Sequence, residues 1–161
     1  MDLVAILSAL GSVALLIGIP IGLVQLRSLR TQRQEEVVIE AYRPFMDEAF
    51  TRAYWRVHAV DAQTYEAFKA GASVEQWADF DLISSYFEMI GVLYKRGLAP
   101  LDLIDDLFAG SLLTTWRKVA PLIRGYRADT NVADYGQWFE RLARDLDARL
   151  TKLGDPHPAI D

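Results

Sequence analysis

The chain has 161 residues, a net charge of -5 and a pI of about 5.0. That length suits one domain with accessory segments, and the acidic balance argues against a nucleic-acid surface. Cysteine is absent, which excludes thiol catalysis, thiolate metal sites and disulfide staples.

The first element is apolar. Leu3 to Leu26 is an uncharged run of 24 residues. At ~1.5 Å per residue a helix over this run is roughly 36 Å long, against about 30 Å for a bilayer core. A cleaved signal peptide would want a basic start and a small-residue exit, and a buried core helix would show polar positions at helical period. The run has neither, so it is read as a transmembrane anchor over residues 1–26. Arg27, Arg30 and Arg33 follow it as a membrane-interface anchor. The positive-inside rule then places the N-terminus outside and the C-terminal domain in the cytoplasm, at a cell inner membrane. Ala14, Gly18 and Gly22 recur every four residues, with Pro20 between the glycines. Small residues at this spacing are a candidate face for helix packing in lipid, and Pro20 bends it.

Residues 27–43 read as a basic helix that continues the anchor. Beyond Arg33 the balance shifts to 14 Lys/Arg against 21 Asp/Glu, an acidic domain over residues 44–153 with a flexible tail, 154–161. Pro44 should interrupt the first helix. Asp61 is placed as the cap of a short helix, about 62–70, ended by Gly71. Ser73-Val74-Glu75-Gln76 is a capping box opening a helix over about 74–96, stopped by Gly97. A short helix, about 101–108, is expected after Pro100. A second starts at Gly110-Ser111 and is kinked by Pro121, and a last one covers about 132–153. No strand pattern emerges. The fold class is all-α: an N-terminal transmembrane helix followed by a compact multi-helix domain. An internal echo at an offset of 61 pairs Trp55-Arg56, Tyr65 and Gln76-Trp77 with Trp116-Arg117, Tyr126 and Gln137-Trp138.

Chemistry is sparse. His58 and His157 lack companion ligands, and Asp102, Asp105 and Asp106 lack the alternation of a calcium loop. No nucleotide, metalloprotease or serine-hydrolase motif occurs. No catalytic residue, cofactor or metal is assigned. Glu88, in a mostly apolar helix, and Trp116, Arg124 and Arg127 on another form a candidate pocket or ion pair.

The segment from Phe87 to Arg127 carries Phe-Glu-x-Ile-Gly, a short acidic helix, Trp116 and Tyr126-Arg127. With the preceding apolar run, it resembles a family of small bacterial membrane-anchored helical proteins of unknown function. The resemblance implies one membrane helix, a compact helical domain behind it, and no particular activity. The expected function is non-enzymatic. The domain binds a protein partner or itself at the lipid bilayer, with no nucleic acid. Alternatives are a membrane-tethered small-molecule sensor or enzyme domain, and an accessory subunit of a larger membrane complex.

Overall fold

The computed structural model describes residues 3–154, with side chains from residue 16 onward. The chain divides into two compact units, Met1–Glu36 and Val37–Asp161. Among the described residues six α-helices follow one another: α1 (Leu3–Tyr42), α2 (Glu48–Ala59), α3 (Tyr65–Gly71), α4 (Val74–Lys95), α5 (Leu101–Thr130) and α6 (Gln137–Leu153), with a 3-10 turn at Arg43–Met46. The all-α reading of the multi-helix domain holds.

In the first unit, α1 presents apolar side chains to solvent on every side. Leu16 is 73% exposed, Ile19 61% and Val24 65%. Among the described residues no helix is long and apolar enough to cross a membrane. The expected span depends on residues 3–15, whose side chains lie outside the described ones. The part that is described, Leu16 to Leu26, has 11 residues, about half of what a crossing takes. Ala14 of the expected packing face lies outside as well. A Cβ added at Gly18 or Gly22 would meet nothing within 4 Å. Pro20 lies inside the helix and does not end it.

The second unit is built by local signals. Pro44 converts the end of α1 into the 3-10 turn. Asp47 then caps α2, accepting from the Phe50 amide at 3.0 Å. Thr64, not Asp61, caps α3 and accepts from the Ala67 amide at 3.2 Å. Residues 60–63 stay outside the helix, so α3 starts three residues later than expected. The capping box before α4 is present, with Gln76 N donating to Ser73 Oγ and Ser73 N to Gln76 Oε1. Gly97, at φ +67, follows the end of α4.

Two expectations, one about α5 and one about α6, are corrected. The pieces about 101–108 and from 110 form one helix of 30 residues, and Pro121 lies within it. Gly110 does not break the helix because Phe108, Leu112 and Leu113 are buried around it, and that packing outweighs its roughly 1 kcal/mol propensity cost. The left-handed residue Asn131, at φ 57, ends α5. Residues 132–136 form a turn, so α6 begins at Gln137 and not near 132.

Side-chain pairs give the helix directions. Phe50 meets Tyr86 and Arg56 meets Asp79, so α2 runs antiparallel to α4. Phe87 meets Phe139 and Tyr94 meets Asp145, so α4 and α6 run parallel. Trp116 meets Phe139 and Asp105 meets Arg149, so α5 runs antiparallel to α6. The core between them is aromatic, with Phe87, Phe108, Trp116 and Phe139 each at most 1% exposed. The internal echo does not carry over into environment, since Trp55 is 65% exposed and Trp116 is 1% exposed. Tyr65 opens α3, whereas Tyr126 lies inside α5; the two ring centroids are 6.2 Å apart.

Candidate functional site

The start of α6 has a difficulty that its own sequence cannot solve. Gly136, at φ +68, stands at the cap position and has no side chain to satisfy the first amides. Glu88 of α4 supplies the acceptor from outside. Its Oε2 takes the Trp138 amide at 2.9 Å and the Phe139 amide at 2.7 Å. A carboxylate there also complements the positive end of the helix dipole.

The same stretch of α4 shapes the rest of this socket. Phe87 stacks on Phe139 with ring centroids 4.9 Å apart. One turn after Phe87, Gly91 lies so close to Trp138 that a Cβ would overlap the Trp138 carbonyl and sit 2.8 Å from its Cβ. The Phe87-Glu88-x-Ile90-Gly91 segment therefore gives a single helical turn a ring to stack on, an acceptor for its amides and room to approach.

From α5, Arg127 holds the other side of the turn. Its Nε donates to the Tyr135 carbonyl at 2.7 Å and its Nη1 to Glu140 Oε2 at 2.6 Å. Both side chains are about 20% exposed (19% and 20%), and Arg127 Nη2 is buried with no partner. Trp116 packs edge-on against Phe139 at 5.0 Å. Glu88, Trp116 and Arg127 thus all reach the same stretch of chain. They converge on residues 135–140, and Glu88 and Arg127 do not pair with each other. Arg124 is exposed on α5.

Open clefts flank the socket. One of about 300 Å³ is lined by Ser84, Ser85, Glu88, Tyr135 and Gly136 among others. Burial, and then Asp81, which accepts from the Tyr135 hydroxyl at 3.1 Å, push the Tyr135 phenol above its usual range. A second cleft, of about 370 Å³, holds Tyr94, Lys95, Trp138, Arg141 and Asp145. There the Lys95 ammonium lies 3.6 Å from the centroid of the Trp138 ring. Tyr94 and Arg141 both donate to Asp145 Oδ2 at 3.1 Å.

Elsewhere many titratable residues are joined in structural pairs. Asp105, from the acidic triplet, accepts from Arg149 at 3.0 Å. His58 lies between α2 and α5. Thr115 Oγ1 spends its proton on the Ser111 carbonyl at 2.6 Å, so His58 Nε2, 3.1 Å away, must donate to it. Burial, and then the nearby Lys118 charge, hold the His58 pKa below its usual value. Among the described residues no group of three His, Cys, Asp or Glu side chains is placed to hold a metal ion. His157 lies outside them.

Sequence reasoning missed Gly91 and Gly136. The available signal was a glycine inside an apolar helical pattern, which is costly unless another backbone comes close. Gly91 meets that description; its partner, 47 residues on in the sequence, could not be read from it.

No curated protein and no solved structure matches the chain. One family model does, described as a domain of unknown function, DUF4760, and the match covers residues 7–146. It takes in most of α1, the whole of α2 to α5 and α6 as far as Leu146, including the socket, and the chain therefore belongs to the DUF4760 family.

Proposed function

We propose that the protein is held at a membrane by α1 and that its helical domain binds a protein partner or a second copy there. One observation carries the reading: among the described residues, the apolar side chains of α1 from Leu16 to Leu29 are exposed on every side of the helix. Leu16, Ile17, Ile19, Ile21, Leu23, Val24 and Leu26 are each 51–73% exposed. A helix that is apolar all round has no polar face to leave in water, so a groove on one partner would cover only part of it. Lipid surrounds a helix on all sides. The uncharged, mostly apolar run back to Leu3 supplies the length. The arginines after it favour a cytoplasmic domain. Anchoring raises the effective concentration of the domain for anything else in the same membrane.

Exposed apolar groups on the domain support the interaction half of the reading. Trp55 is 65% exposed on α2, while Leu82 and Met89 are 47% and 43% exposed, two turns apart on one face of α4. Glu88 Oε2 and the Arg127 Nη1 donor are committed to the first turn of α6, and the Arg127 Nε donor to the turn before it, which favours an interaction domain over a ligand-sensing one. The test is alkaline carbonate extraction of membranes from cells that make the full chain. Retention in the pellet and release by detergent are expected. Quantitative release by carbonate alone would overturn the anchor. Light scattering of the detergent-solubilised protein, alone and after affinity capture, then reads the association.

A further inference from the structure

The first unit orders its chemistry along the helix. The apolar stretch to Leu26 comes first, Arg27, Arg30 and Arg33 next, and Glu35 and Glu36 last. Three-residue steps raise each arginine by about 4.5 Å and turn it by about 60°, so the three fan over roughly a third of the helix circumference within two turns. All three are exposed.

None of them has an acidic partner among the described residues, although most arginines of the second unit have one. Arg43 pairs with Glu40, Arg56 with Asp79, Arg127 with Glu140 and Arg149 with Asp105. Arg52 pairs with Glu48 as well. The three cations directly beside the apolar surface are left unmatched, with the acids on their far side. A guanidinium offers a planar fork of donors that matches two oxygens of one phosphate, and it gives up water more readily than an ammonium.

We infer that Arg27, Arg30 and Arg33 bind the phosphates of anionic phospholipid headgroups, and so hold the edge of the anchor at the bilayer surface. This rests on the membrane reading above. An anionic lipid is favoured over an acidic protein surface because the cations continue an apolar helix that is exposed on all sides. Whatever solvates that helix also meets the arginines.

The test uses the full chain in micelles doped with equal phosphatidylcholine and phosphatidylglycerol, with native mass spectrometry reading the lipids that remain bound. Enrichment of phosphatidylglycerol is expected, at about five-fold per engaged arginine, and higher salt should weaken it. R27Q/R30Q/R33Q should return the bound ratio to the bulk ratio. R43Q, which breaks a pair with Glu40, should leave it enriched. A bulk ratio in the wild type, or unchanged enrichment in the triple variant, would overturn the inference. The same proteins in phosphatidylcholine vesicles, extracted with carbonate, separate the two readings. Retention with no lipid preference sinks only the headgroup contact, whereas extraction of the wild type sinks the anchor and the contact together.

Discussion

Single atoms decide how the first turn of α6 is held. Glu88 Oε2 accepts two amides that Gly136 cannot serve, so E88A should cost about 1–2 kcal/mol, while E88Q keeps an acceptor oxygen and should cost less. Urea titrations of both variants measure the difference, and equal losses would argue against the capping role. Gly91 admits no side chain beside the Trp138 backbone. G91A should therefore destabilise by at least the ~1–3 kcal/mol typical of overpacking, although alanine is the better helix former. His58 gives a pH dependence. Its folded pKa lies below the unfolded value because burial, and then Lys118, disfavour the imidazolium. Its stabilising contribution is thus fully present above about pH 6.5 and is lost as pH falls from there through the folded pKa. Denaturation midpoints measured from pH 7.5 to 5 should fall, and H58Q should flatten that part of the curve. Glu88 was legible as an unusual charge on an apolar face. That it caps a helix 50 residues away was not, because hydrogen bonds between helices leave no spacing in the sequence.

At the level of elements, local signals worked where chemistry between neighbouring residues settles the matter. The Ser73–Gln76 box, the stop at Gly97 and the break at Pro44 each depend on residues within one turn. They failed where packing overrules propensity. Gly110 reads as a boundary, yet α5 runs unbroken through it because the residues around it are buried in the core. Pro121 is exposed and deprives the Arg117 carbonyl of its helical donor. P121A should restore that bond and raise stability by about 1 kcal/mol or more, read as an upward shift of the urea midpoint with an unchanged slope. The cap of α3 was misplaced for a related reason. Asp61 and Thr64 are both capable caps, and the burial of Tyr65 and Phe68 selects the later one.

For the whole molecule, the two units differ in what they need. The second has its own aromatic core, with Val38 and Ala41 as the first buried contributions from the chain. A fragment starting at Gln34 should therefore remain folded, with a cooperative thermal transition followed by circular dichroism. The full chain should need detergent to stay dispersed, because α1 leaves its apolar surface uncovered. A fragment that melts without cooperativity would show that the core depends on residues before Gln34.

Composition and periodicity were enough to establish an all-helical chain, an apolar first segment closed by three arginines, and the positions of most helices. These features depend on hydrophobic area and on contacts between near neighbours, both of which are written linearly. Only the tertiary structure decided that α4 and α6 run side by side in the same direction, that Gly91 meets the Trp138 backbone, and that Glu88 and Arg127 grip one turn of α6 and not each other. These depend on which distant surfaces exclude water together, and that choice is made by packing in three dimensions.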